Sequence, residues 1–176
     1  MSEKPKMSFL MESVAFGLTD GVICFLGIIV GVAVATYDST LVLIAGIVGG
    51  VADALGNSIG FFVSQATERA VQIRASENGE NTHIHSKREV YMSGVFSFLS
   101  TLAALVLVLF PFMFLEVWAA TGLSFILGTT MAFILGTYIG KIGREGRFRS
   151  GIKYALITIF GAVVSYALGV VLHIII

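Results

Sequence analysis

Two charge-free stretches decide the fold: Tyr91–Leu115, YMSGVFSFLSTLAALVLVLFPFMFL, and Val117–Gly140, VWAATGLSFILGTTMAFILGTYIG, separated by Glu116 alone. Each is long enough to cross a hydrocarbon core of about 30 Å as a helix, which takes roughly 20 apolar residues. Pro111 to Glu116 supplies a tight turn between them, so the two spans form an antiparallel hairpin. Working outward, Tyr154–Ile176 carries only His173 near its end, and two further apolar stretches precede the pair. The expected spans are about 9–36, 41–66, 90–112, 117–140 and 152–175, with a polar loop at about 67–89. The fold class is therefore all-α integral membrane, with five transmembrane helices in a single domain, 1–176.

Composition agrees. The 176 residues are 56% hydrophobic and 12% charged, with a mean hydropathy of +0.93, a balance that no water-soluble fold could bury. Cys24 is the single cysteine, which excludes an intrachain disulfide and a cysteine-cluster metal site. The opening MSEKPKMSFLMES is followed by a stretch broken by Glu12 and Asp20, and it reads as no removable signal peptide. Net charge is zero, and no nucleic-acid partner is expected. The partner that composition demands is the lipid bilayer of a cell or organelle membrane.

Orientation follows from the 11 basic residues, because short cytoplasmic flanks collect Lys and Arg. Lys4 and Lys6 precede the first span; Arg69, Arg74, Lys87 and Arg88 lie between the second and third; Lys141, Arg144, Arg147, Arg149 and Lys153 surround the connection from fourth to fifth. The opposite side receives Asp38, Glu116 and Trp118. The expected topology places the N-terminus in the cytosol and the C-terminus on the opposite side. Gln65–Ala75 is expected to prolong the second helix into the cytosol. His83 and His85, with Glu77 and Glu80, offer metal-ligating side chains, but paired histidines two residues apart in a polar loop read first as a hydrated linker.

Asp20 and Asp53 stand out, since a carboxylate at membrane depth costs roughly 2.5–3.5 kcal/mol on insertion scales. Counted from the turn near Asp38, they lie about 18 and 15 residues into adjacent helices, within about one turn in depth at ~1.5 Å per residue. Helical spacing sets Ser13, Gly17, Asp20, Cys24, Gly27 and Gly31 on one stripe and Gly46, Gly49, Asp53, Asn57, Gly60 and Ser64 on another. Gly17/Gly21, Gly27/Gly31, Gly46/Gly50 and Gly56/Gly60 have the four-residue spacing of close membrane-helix contacts. One reading satisfies the acids with neighbouring hydroxyls or protons. The other supplies the missing positive charge as a proton, a bound cation, or both in alternation, with Asp20, Asp53 and the amide oxygen of Asn57 as hard ligands for a divalent cation. Glu12, Glu68 and Met11 are candidates for a cytosolic entrance.

The stretch Phe16-Gly-Leu-Thr-Asp-Gly-Val resembles the Gly-Leu-Asn-Asp-Gly motif of the vacuolar iron transporter family, and the likeness continues through Leu26-Gly-Ile-Ile-Val-Gly-Val-Ala, Leu43 to Leu55, Val63-Ser64 and Gly161 to Gly169. The resemblance implies five helices, a homodimer with the first helices near its axis, and export of ferrous iron or manganese (Fe2+ or Mn2+) from the cytosol in exchange for protons. No tightly bound cofactor is implied. The family's transport aspartate falls on Asp20. This chain departs from the pattern at Asn57, where members carry a ligating methionine; at Gly60-Phe61-Phe62, where Gly-Glu-Tyr is common; and at Ser13, where a second acid stands beside our Glu12. It is also short in the connection where members with a cytosolic metal-binding domain insert a glutamate-rich segment.

A divalent metal cation transporter is thus the expected function, and a non-transporting membrane scaffold or sensor the alternative. An intramembrane enzyme is not expected: His83, His85 and His173 lie in a loop or near a helix end, and no nucleophile–base pair shares the membrane interior.

Overall fold

A computed structural model describes residues 4–175 along the backbone and 10–175 with side chains; Lys4 and Lys6 of the charge argument fall outside the described side chains. Five helices run α1 Lys4–Thr36, α2 Ser39–Glu77, α3 Lys87–Leu109, α4 Val117–Ile142 and α5 Arg147–Ile175, with a short 3-10 turn, Phe110–Met113, closing α3. All five are long and apolar enough to cross a membrane.

The connections are short for local reasons. Tyr37 adopts a left-handed conformation (φ 54°), its N–H returning to the Ala33 carbonyl at 3.0 Å, and stops α1 as a C-cap does. Asp38 then caps α2, its carboxylate accepting from the N–H groups of Thr40 at 2.7 Å and Leu41 at 3.4 Å, which satisfies donors no helix can pair internally. Ser86 and Glu89 form a reciprocal capping box at the start of α3,. At this far end Tyr37 packs on Trp118 and His173, with ring centroids 5.2 and 4.7 Å away, as aromatic residues do at membrane boundaries.

Because successive helices alternate in direction, the basic residues of the α2–α3 and α4–α5 connections gather at one end of the bundle, here called the basic end. The polar connection is shorter than 67–89. α2 continues to Glu77, leaving 78–86 outside helix, and that strap is fastened: Arg69 Nε donates to the His85 carbonyl at 2.9 Å, and the His85 N–H donates to Gln72 Oε1 at 2.8 Å.

α1 is the central helix, packed on α3, α5, α2 and α4, whereas α2 and α5 share no packed seam. Val22, Phe25, Leu26, Ile29 and Ala33 of α1 are fully buried with Ala104 and Val108 of α3. Toward the basic end this interface turns polar. Thr101 Oγ1 donates to the Gly17 carbonyl across it at 3.2 Å, and a β-carbon on Gly17 would collide with Ser97 and Ser100. The stripe of small residues on α1 is therefore divided among three neighbours: Gly17 and Gly21 meet α3, Asp20 and Cys24 meet α2, and Gly27 and Gly31 meet Ser165 of α5, while Ser13 is fully buried. On α2, Gly46 and Gly50 meet Leu109 and Leu105 of α3. Gly56 and Gly60, expected at a helix contact, have nothing within 4 Å, because α2 turns that face outward.

Candidate functional site

Asp20 of α1 and Asp53 and Asn57 of α2 meet at the α1–α2 seam, midway along both helices. Asn57 is one turn beyond Asp53, so both side chains project from α2 toward α1. The Asn57 amide nitrogen donates to Asp20 Oδ2 at 2.7 Å and to Asp53 Oδ2 at 3.2 Å. Cys24, one turn along α1 from Asp20, places its thiol 3.4 Å from Asp53 Oδ1. All four side chains are half-buried.

The sequence reading assigned the amide oxygen of Asn57 to a cation. Here the nitrogen end faces the acids, and the reason is chemical: two carboxylates offer only acceptors, so the amide's donors are what fits between them. Among the described residues no group of three His, Cys, Asp or Glu side chains converges as a ready-made metal cage.

Asp20 also faces a second environment. A cavity of about 840 Å³ opens between α1, α4 and α5, with Asp20 and Ile23 among its lining residues and Glu12, Met11, Tyr138, Gly143 and Tyr154 nearer the basic end. The Tyr138 hydroxyl donates to Met11 Sδ at 3.4 Å. Met11 and Glu12 thus lie in the cavity wall as an entrance requires. Glu68 lies outside it, bonded to Gln72 Nε2 at 3.1 Å. Tyr138 and Tyr154 escaped the sequence reading; they sit on α4 and α5, whose spans carry no acidic residue to draw attention to them.

On the α2 side the cavity is screened by Phe16 stacked on Phe61, ring centroids 5.0 Å apart. Each ring is one turn toward the basic end from Asp20 and Asn57 respectively. Beyond the acids, toward the far end, α1 and α5 pack closely: a β-carbon on Gly169 would lie 2.6 Å from the Gly31 carbonyl oxygen and 3.0 Å from Val34. His83 and His85 rings lie 6.0 Å apart, in the strap at the basic end and away from the acid pair.

Five membrane-length helices around an acid pair that no basic side chain neutralises among the described residues define a polytopic membrane protein whose interior favours positive charge. The VIT family model matches residues 11–90, the segment that holds Asp20, Asp53 and Asn57. An uncharacterized protein of Methanocaldococcus jannaschii is 34% identical over 149 residues, covering 78% of this chain and 76% of the relative. The chain belongs to the VIT family, a membrane family of metal and cation transporters.

Proposed function

We propose that this chain carries a divalent cation, of the ferrous iron or manganese class, from the basic end across the membrane in exchange for protons. The observation that carries the reading is the pairing of Asp20 and Asp53 through one amide at the inner end of an open vestibule, with no basic group beside them among the described residues. Two carboxylates suit a hard or borderline cation. A cation entering the vestibule passes Glu12 and reaches Asp20 before Asp53, and rotation of the Asn57 amide would exchange its donor end for its oxygen. Protons displaced from the acids supply the countercurrent, and the positive-inside rule makes the basic end cytosolic.

The working unit is a homodimer. Leu55, Ile59 and Val63 of α2 are exposed beside Gly56 and Gly60, and the half-buried Asp53 lies on the same helix. Half-buried acids at membrane depth call for cover, and small residues let a second copy approach closely.

The test is metal-driven flux in proteoliposomes for iron, manganese, cobalt and zinc with a pH reporter inside. Saturable uptake with opposing proton movement, lost in Asp20→Asn, supports the exchanger. One observation favours a non-transporting scaffold or sensor: the acids are already occupied by Asn57, with no cage of three ligands among the described residues. Absence of flux for all four metals in folded protein would establish that second reading.

A further inference from the structure

The surface between α2 and α3 at the basic end carries a second depression, of about 240 Å³, lined by Phe62, Ala66, Arg69, Lys87, Val90 and Tyr91. It lies on a different side of the bundle from the vestibule, whose walls are α1, α4 and α5. Its walls divide by chemistry. Phe62, Ala66, Val90 and Tyr91 make an apolar trough, with the Phe62 and Tyr91 rings 5.2 Å apart and Tyr91 65% exposed. Arg69 and Lys87 stand at the mouth. Among the described residues neither is bonded to a carboxylate, and Arg69 has its Nε fixed on the His85 carbonyl, which holds the guanidinium in place and leaves its terminal nitrogens as donors.

A fixed guanidinium and an ammonium above an apolar trough, at the depth where a helix pair leaves the membrane, match a ligand with an anionic oxygen head and a hydrocarbon body. Arginine suits phosphate because its planar fork offers several donors at once, and basic pockets between membrane helices recognise anionic headgroups in this way. We propose that the groove holds an anionic phospholipid, its phosphate between Arg69 and Lys87 and one acyl chain along Phe62, Val90 and Tyr91. A zwitterionic lipid fits less well, because its own cation offsets the charge that two basic residues are placed to meet. Since Arg69 also fastens the strap at His85, an occupied groove holds that strap more firmly.

The test is native mass spectrometry of the detergent-solubilised full chain with phosphatidylglycerol or phosphatidylcholine. Phosphatidylglycerol should be retained selectively, and retention should fall about tenfold in the Arg69→Gln/Lys87→Gln double variant while a charge-matched pair on α5, Arg147→Gln/Arg149→Gln, keeps it. Equal retention of both lipids, or equal loss in the control pair, would overturn the assignment. So would displacement by millimolar inorganic phosphate, which would mean that the headgroup alone is recognised. If the double variant does not fold, Lys87→Gln serves, since Lys87 is exposed; unchanged retention in that variant counts against the site. Hydrogen exchange of residues 80–86 should slow with phosphatidylglycerol, and an unchanged rate would remove the link to the strap.

Discussion

The amide nitrogen of Asn57 lies 2.7 Å from Oδ2 of Asp20, so a single side chain of α2 joins the central helix at the depth of the acid pair. The same nitrogen reaches Asp53, and without it two carboxylates would face one another with no shared donor. Asn57→Leu keeps the branched shape and removes the bridge. Unfolding free energy should fall by roughly 1–3 kcal/mol, the cost of stranding partly buried acceptors, read as a lower melting temperature in detergent. An unchanged melt would show that the bridge does not hold the two helices together.

Asp20 and Asp53 should not be equivalent in transport. Only Asp20 lines the vestibule, so Asp20→Asn should reduce metal flux at least about tenfold, the scale of losing a charged contact to a cation, whereas Asp53→Asn should leave measurable flux with a weaker apparent affinity. Liposome uptake of both variants at matched protein density decides this, and equal loss would place the two acids in one indivisible site.

The vestibule should be open to water from the basic end only. In a Cys24→Ser background, Ala15→Cys and Thr19→Cys should react with a membrane-impermeant thiol reagent applied on that side, while Val30→Cys, buried on α1 beyond the acids, should not. Reaction of Val30→Cys, or of Thr19→Cys from the opposite side only, would reverse the assigned sidedness.

Glycines of similar spacing should respond in opposite ways. Gly17→Ala drives a methyl group into Ser97 and Ser100 and should cost about 1–3 kcal/mol, as overpacking does. Gly60 has nothing within 4 Å, so Gly60→Ala should be neutral or gain up to ~1 kcal/mol in helix propensity. Gly60→Leu, by contrast, should convert dimer to monomer in crosslinking if a second copy covers α2; persistence of the dimer would move the interface elsewhere.

The spans were legible because the absence of charge over a membrane thickness is a one-dimensional property, readable without neighbours. The matched depth of Asp20 and Asp53 was legible for a similar reason, since rise per residue and the turn at Asp38 suffice to count it. What periodicity gives is a face and not the helix opposite. The stripe from Ser13 to Gly31 therefore looked like one contact, whereas α1, surrounded on all sides, distributes it among α3, α2 and α5. The amide direction of Asn57 depends on what stands across the seam, and α2 being open at Gly56 and Gly60 depends on where the bundle ends. Tyr138 and Tyr154 became part of the vestibule only through the way α4 and α5 meet, with Gly136 seated against Tyr154.

The contact of Gly169 with the Gly31 carbonyl has a consequence for motion. A barrier made of side chains can open by rotamer changes within nanoseconds, one residue at a time. Here the α5 backbone at Gly169 faces the Gly31 carbonyl, with the buried Val34 side chain beside it. Opening this seam takes a slide or tilt of α5 against α1, a shear of packed helices on the microsecond-to-millisecond scale. Turnover would in that case be set by the stiffness of one long helix.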